Sequence, residues 1–103
     1  MKTKVDGKTL VLMPETDLVA SGIEDVRDYC LAQLEGNPDV SKVVLDVEGI
    51  EFIDSLGVNF IVGLYRQAAS EEKSIEITGA GKSFMKVANF FRFPSLFPVN
   101  SAN

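Results

Sequence analysis

The sequence predicts an α/β fold in which a single domain, residues 1–103, packs three main helices on a mixed sheet of four to five strands. Short apolar, β-branched runs alternate along the chain with longer segments of helical periodicity, the pattern of parallel strands joined by helices. A hairpin signal opens the chain, which adds an antiparallel strand. A chain of 103 residues is long enough to bury one core without disulfides or a metal.

The first two strands form a predicted β-hairpin. Asp6-Gly7 separates two extended runs within residues 4–12, and this dipeptide favours a type I′ turn because both central residues need a positive φ. The second strand reaches Met13, and Pro14 ends it.

The first helix is predicted from a capping box and an apolar stripe. Ser21 is the predicted N-cap and Glu24 the residue that reaches back to it. Gly36 and Pro38 end the helix. Apolar residues recur between them at near-helical spacing: Ile23, Val26, Cys30, Leu31 and Leu34. Cys30 is therefore expected to be a small buried hydrophobe rather than a reactive thiol.

The central strand and the second helix follow. Residues 42–47 are short, β-branched and mostly apolar, which suits a strand covered on both faces. After Gly49 the chain enters a helix that starts near Ser55 and runs to about Ser70. The predicted core includes Leu45, Val47, Phe60, Ile61, Leu64 and Ile77.

The last third of the chain predicts a strand, a helix and an edge strand. Residues 73–78 alternate apolar and polar side chains, as a strand does. A third helix then places Phe84, Val87, Ala88 and Phe91 on one stripe, and Pro94 ends it. Residues 96–99 complete the sheet at an edge, where Pro98 is tolerated.

Charge and composition exclude several functions. Ten basic against 15 acidic residues give a net charge of −5, the opposite sign to that of a domain that grips nucleic acid or an anionic membrane. No apolar run approaches the ~18 residues of a spanning helix, and the first residues lack the apolar core of a signal peptide. The single cysteine excludes an intramolecular disulfide. We expect a cytoplasmic protein with neither membrane insertion nor direct nucleic-acid binding.

Enzyme chemistry has little support in the sequence. The absence of histidine removes the usual general base, and no glycine-rich loop suggests nucleotide binding. Four carboxylates could form a divalent-ion cluster, but surface acids alone are unspecific; these are Asp46, Glu48, Glu51 and Asp54. The prediction is a protein that is not an enzyme and needs no cofactor or metal.

Ser55 lies at the start of the second helix, where backbone N–H groups lack partners. The simplest role for Asp54 or Ser55 is to cap the helix. At 100° per residue, a small and weakly charged stripe shares the face of Ser55; it comprises Asn59, Val62, Gly63 and Arg66. A solvated face more often carries Glu and Lys pairs. The stripe is therefore a predicted partner-binding surface, with a merely solvated face as the alternative.

The segment from Val44 to Gly57 resembles the signature of the STAS domain, best known in bacterial anti-sigma factor antagonists. The matching residues are Val44-Leu45-Asp46, Gly49 and Phe52-Ile53-Asp54-Ser55-Leu56-Gly57. The opening hairpin, the three helices and Leu96-Phe97-Pro98-Val99 also match, so the resemblance covers essentially the whole chain.

The resemblance implies a phosphorylation switch. In that family an anti-sigma factor that is also a serine kinase phosphorylates the serine of the Asp-Ser pair. The unphosphorylated antagonist binds this kinase and frees a sigma factor, and a phosphoserine phosphatase resets the cycle. Carried over, Ser55 is the phosphorylation site, and Asp46, Asp54 and Gly57 support it. STAS-like domains also serve as non-enzymatic subunits of lipid-transport or sensory complexes, which is the alternative function.

Two features depart from the family. The final helix that usually follows the last strand is expected to be absent, since the sequence stops at Asn103. Residues 89–93 are unusually aromatic. They either join the core with one or two exposed rings or form an apolar patch for a partner or a second copy. We expect a monomer or a weak dimer.

Overall fold

The computed structural model describes residues 1–102, which form five strands, three α-helices and one 3-10 helix. In chain order these are β1 (Lys2–Asp6), β2 (Thr9–Met13), α1 (Ile23–Gly36), β3 (Lys42–Asp46), α2 (Ser55–Ser70), β4 (Ser74–Ala80), α3 (Lys82–Phe90), the 3-10 helix (Phe93–Ser95) and β5 (Val99–Ser101). The predicted α/β fold is confirmed. The predicted absence of a helix after β5 concerns residues up to Asn103, and Asn103 lies outside the described residues.

The five strands form one mixed sheet in the order β1-β2-β3-β4-β5. β1 is antiparallel to β2, and the remaining neighbours are parallel. Because parallel crossovers are right-handed and these strands follow one another in chain order, α1, α2 and α3 lie on the same face of the sheet.

Burial along the strands agrees with helices on one face. Alternate strand residues join the helices in the core: Leu10, Leu12, Val43, Leu45, Ile75 and Ile77. The expectation that helices cover both faces of β3 is therefore wrong. Val44 points to the other face and is 8% exposed, because Val11 and Glu76 of the neighbouring strands flank it.

The predicted core is confirmed. All six predicted residues are buried, with no more than 5% exposure: Leu45, Val47, Phe60, Ile61, Leu64 and Ile77. Cys30 is fully buried as predicted, and burial raises the pKa of its thiol to about 12, which keeps it protonated and unreactive. No helix within residues 1–102 is long and apolar enough to cross a membrane.

The hairpin forms, but its turn lies one residue further along than predicted. Asp6 pairs with Thr9, so Gly7 and Lys8 are the two central residues. Gly7 has φ +60° and Lys8 is not in the positive-φ region, the pattern of a type II′ turn with glycine first. Asp6 stays in the strand because only one central position of this turn needs a positive φ.

The predicted capping box on α1 is wrong. The N-cap is Gly22, and no side chain caps this helix. The N–H groups of Gly22 and Ile23 donate to the carbonyl of Val19, so a separate turn precedes the helix. Ser21 lies inside that turn, exposed, and Glu24 instead approaches Arg27 at 4.0 Å.

The chain after α3 also differs from the prediction. The edge strand begins at Val99 rather than at residue 96, because the preceding residues turn inward to pack. The N–H of Phe97 donates to the carbonyl of Phe93, and the two rings lie 5.5 Å apart between centroids. Phe91 follows the end of α3 and is 46% exposed, so it does not belong to the buried stripe.

Candidate functional site

The start of α2 is capped by Asp54. Its backbone is extended (φ −106°, ψ −173°), as at an N-cap. Its Oδ1 accepts hydrogen bonds from the N–H groups of Leu56 at 2.9 Å and Gly57 at 3.0 Å. Its Oδ2 accepts a third, at 2.8 Å, from the N–H of Ala20. One carboxylate thus joins the first turn of α2 to the turn that precedes α1.

These hydrogen bonds stabilise the charged form of Asp54. The N–H of Ala20 contributes most, followed by that of Gly57, and together with Leu56 they hold the pKa of Asp54 below its ordinary value. The carboxylate therefore remains ionised at neutral pH and satisfies N–H groups that lack partners within the helices.

The segment around Leu18 runs alongside the approach to α2. Leu18 and Ile53 form an isolated parallel bridge. The N–H of Leu18 donates to the carbonyl of Phe52, and the N–H of Asp54 donates to the carbonyl of Leu18. Asp17 Oδ1 accepts from the N–H groups of Glu51 and Phe52. The entry to α2 is thus held along its length by residues 17–20.

Gly57 lets this segment approach the helix closely. A Cβ at position 57 would lie 2.0 Å from the carbonyl oxygen of Leu18 and 2.8 Å from Cγ1 of Ile53. The first of these atoms belongs to the backbone of a fully buried residue, so it cannot move aside cheaply. The sequence predicted that Gly57 supports the Ser55 site. The structure adds that a glycine is required at this position because a side chain would collide with Leu18.

Ser55 is the first residue of α2 and is exposed. Because Asp54 provides the cap, the hydroxyl of Ser55 is not needed for that purpose. Within residues 1–102 it accepts and donates no side-chain hydrogen bond. The structure therefore separates the two roles that sequence left open: Asp54 caps the helix, and Ser55 presents a free hydroxyl to solvent.

The stripe predicted on α2 lies beside Ser55 on the accessible side of the helix. Asn59, Gly63 and Arg66 are exposed, whereas Val62 is half-buried and packs against the core. A Cβ at Gly63 would meet no atom within 4 Å, so this glycine does not serve internal packing.

Two apolar residues beside Ser55 were not identified as part of a surface from the sequence. Phe52 is 59% exposed and Leu56 is 46% exposed. Leu56 also lines a groove of about 400 Å³ between α1 and α2, together with Leu31, Asn59 and Gly63. Their position one and three residues from Ser55 was a signal, since large apolar side chains that are exposed close together often mark an interaction site.

Asp46 lies away from the hydrogen bonds of Asp54. It ends β3, pairs with Thr78 of β4, and its Oδ1 accepts from the N–H of Glu48 at 3.0 Å. A Cβ at Gly79 would lie 2.9 Å from the same oxygen. Its contacts organise the loop after β3 and the end of β4.

The acidic residues considered as a divalent-ion cluster do not form one in the described part of the chain. That part contains no group of three or more histidine, cysteine or acidic side chains able to hold a metal ion. Asp54 is directed to backbone N–H groups, and Asp46 to the N–H of Glu48.

The mixed sheet with its helices on one face, and the Asp-Ser pair at the start of the second helix, agree with the STAS domain that the sequence resembles. The sequence profile described as "Mlab, STAS domain" matches residues 1–97. The chain belongs to this STAS domain family. No curated protein matches the chain.

Solved structures share the fold at low sequence identity. A Thermotoga maritima protein has a TM-score of 0.86 at 15% identity, over 97% of this chain and 85% of its own. An anti-sigma factor antagonist from Mycobacterium paratuberculosis has a TM-score of 0.83 at 14% identity, over 96% and 82%. An anti-sigma-factor antagonist (STAS) domain protein from Planctomyces limnophilus has a TM-score of 0.81 at 17% identity, over 99% and 90%.

Proposed function

We propose that this chain is a cytoplasmic anti-sigma factor antagonist that acts by binding and not by catalysis. Its unphosphorylated form binds an anti-sigma factor that is also a serine kinase, and so releases a sigma factor. Phosphorylation of Ser55 by that kinase ends the binding, and a phosphoserine phosphatase restores it. Family membership and the two neighbours described as antagonists support this role.

The observation that carries the proposal is that Asp54 caps α2, which leaves the hydroxyl of Ser55 exposed. A serine that caps a helix has its oxygen engaged by backbone N–H groups, and its phosphorylation would disturb that cap. Here the carboxylate of Asp54 accepts those hydrogen bonds, and the exposed Ser55 hydroxyl is left available to a kinase. The fold can therefore keep its helix start in both states.

The added phosphate acts on the surface rather than on the fold. It carries a charge of about −1.5 to −2 at neutral pH, and a helix amino terminus tolerates an anion. The phosphate would stand beside Leu56 and Phe52, both of which are about half-exposed and suited to apolar contact. A partner that docks there would have to strip its hydration, which lowers affinity.

The test compares three forms of Ser55. Ser55→Ala should bind the anti-sigma kinase as wild type does and take up no phosphate from ATP. Ser55→Asp should fold normally and bind at least about ten-fold more weakly. Isothermal titration and labelling with radioactive ATP measure both effects. Equal phosphate incorporation into wild type and Ser55→Ala would remove Ser55 as the switch.

The proposed docking surface on α2 comprises Ser55, Asn59, Val62, Gly63 and Arg66, and it is tested separately. Gly63→Trp inserts bulk where nothing lies within 4 Å, so the domain should fold while kinase binding is lost. Gly63→Ala is the matched control and should bind normally, with up to about 1 kcal/mol of added helix stability. Unchanged binding by a folded Gly63→Trp variant would show that the stripe is only solvated.

The alternative function is that of a non-enzymatic subunit of a lipid-transport or sensory complex, which would have the same fold. The two functions differ in the partner that is bound and in whether Ser55→Asp weakens that binding. Co-purification from the source cell with a histidine-kinase-like ATPase, sensitive to Ser55→Asp, supports the antagonist. Co-purification with a membrane transporter ATPase, insensitive to Ser55→Asp, supports the alternative.

A further inference from the structure

The surface of α3 carries a charge opposite to that of the rest of the molecule. All 15 acidic residues lie at or before Glu76, together with seven of the ten basic residues. The three remaining basic residues, Lys82, Lys86 and Arg92, lie in or directly after α3 and are exposed. None of them forms an ion pair with a carboxylate in residues 1–102.

Exposed apolar side chains accompany these cations. Phe90 is 79% exposed, and Leu96 is 44% exposed. Lys82, Lys86 and Phe90 recur at four-residue spacing, so they form one stripe along α3, opposite the buried Phe84. The ring of Phe91 packs edge-on against Phe90, with centroids 5.0 Å apart, so the two exposed rings form one apolar patch.

A groove lies along the same stripe. It measures about 300 Å³, and Lys82, Met85, Lys86 and Asn89 of α3 form one wall. Ala80 at the end of β4 and Ser101 of β5 form the other. Both lysines line this groove, so an acidic segment that enters it would meet both cations.

Arg92 adds an independent observation. Its backbone is left-handed (φ 60°, ψ 35°), a conformation that glycine or asparagine adopts at lower cost than a long side chain. The chain nevertheless holds an arginine next to two exposed aromatic rings. Aromatic residues and arginine are enriched among the residues that dominate binding at protein interfaces.

The geometry points to a second interaction surface, formed by Lys82, Lys86, Phe90, Phe91, Arg92 and Leu96, that binds an acidic segment with apolar anchors from a partner protein. Carboxylates of that segment pair with the cations, and an apolar side chain packs on Phe90. An anionic membrane fits less well, because three cations fall short of the about four to eight of a polybasic membrane site. The rest of the chain, strongly acidic, would also be repelled.

This surface shares no residue with the α2 surface, so the proposal goes beyond the Ser55 switch. A domain with both surfaces can join two proteins, one of them under control of Ser55. Binding at α3 should then be the same in wild type and in Ser55→Asp, which keeps the failure of one proposal distinguishable from the failure of the other.

The test uses a phage-displayed library of random peptides, because short peptides are common occupants of grooves on protein surfaces. Peptides selected on wild type should be enriched in Asp and Glu next to Leu, Phe or Trp. Lys86→Glu and Phe90→Asp should each weaken the selected peptides at least about ten-fold by fluorescence anisotropy. Lys4→Glu, an equal charge reversal on exposed β1, is the matched control and should leave binding unchanged.

Charge exchange completes the experiment. Single replacements of each acid in a selected peptide by lysine identify the acid that pairs with Lys86, and that one replacement should restore affinity for Lys86→Glu. The proposal is overturned if no peptide is enriched, if the enriched peptides lack acids, or if they bind Lys86→Glu and wild type equally. It is also overturned if Phe90 is required instead for binding to vesicles of anionic lipid. Circular dichroism verifies that each variant is folded; Lys86→Glu alone suffices should Phe90→Asp fail to fold.

Discussion

The starts of α2 and α3 arise in the same way but are held very differently. Each helix follows a parallel strand at the same edge of the sheet. At α2, three N–H groups converge on Asp54, and Gly57 packs against Leu18. At α3 the N-cap is Gly81, which has no capping side chain and open space around its Cα.

The difference shows which of the two helix starts is held more firmly. The α2 start is tied to a segment 34 residues earlier in the chain, so its geometry is set by two parts of the fold at once. No side chain caps the α3 start in the described part of the chain. The proposed switch would benefit from the first arrangement, because phosphorylation of Ser55 would then change the charge of the surface without changing the geometry of the helix start.

The largest expected effect is that of Gly57→Ala. The new Cβ would overlap the carbonyl oxygen of Leu18, so the helix start and residues 17–20 must separate. We expect a loss of about 3 kcal/mol in the free energy of unfolding, at the upper end of overpacking effects. Urea denaturation measures it. A loss below about 0.5 kcal/mol would mean that the two segments are not held together in solution.

Asp54→Asn should have a smaller effect that depends on pH. Since the folded state lowers the pKa of Asp54, its contribution is fully present above the unfolded-state pKa of about 3.9 and is lost as the pH falls through the folded-state pKa. Asp54→Asn should therefore be less stable than wild type at pH 7. The difference in the free energy of unfolding between the two proteins should disappear below about pH 4.

The matched control for Asp54→Asn is Asp39→Asn. Asp39 is exposed and forms no side-chain hydrogen bond or ion pair in the described part of the chain, so its replacement should change the free energy of unfolding by no more than about 0.5 kcal/mol. Thermal unfolding between pH 2 and pH 7, roughly the range over which carboxylates titrate, measures both variants. If the stability difference between wild type and Asp54→Asn does not change with pH, the charge of Asp54 does not stabilise the helix start.

Gly81→Ser should make the two helix starts more alike. The backbone at position 81 is extended (φ −76°, ψ 178°) and has room for a side chain. A serine there can cap α3, and we expect a gain of only a few tenths of a kcal/mol, since glycine is itself a tolerable N-cap. A loss of stability in urea denaturation would show that this start is more constrained than its contacts indicate.

Ser55→Ala should have the smallest effect. Because Asp54 caps α2 and the Ser55 hydroxyl has no partner in residues 1–102, the change in the free energy of unfolding should stay within about 0.5 kcal/mol. This reverses the expectation that a serine at a helix start contributes to capping. A larger loss would assign the hydroxyl a structural role and weaken its case as a free phosphoacceptor.

Most of the fold could be predicted because its signals are local. The alternation in Ser74–Ala80 and the apolar stripe of α2 identified their buried residues correctly, since a strand or helix repeats its inward positions at a fixed spacing. Two of the errors fell where a local signal had more than one solution. The hairpin could turn at Asp6-Gly7 or at Gly7-Lys8, and the structure has the second. Ser21 has the residue type of an N-cap, but it lies within the turn that precedes the helix.

The sequence by itself determined the order of the elements, the core, and the presence of an Asp-Ser pair at the start of α2. Only the tertiary structure decided that Asp54 rather than Ser55 caps that helix, and that Gly57 must lack a side chain. Both depend on Leu18 and Ala20, which reach α2 from far along the chain. Periodicity and capping signals act over a few residues, whereas a contact between distant segments exists only once the sheet has brought them together.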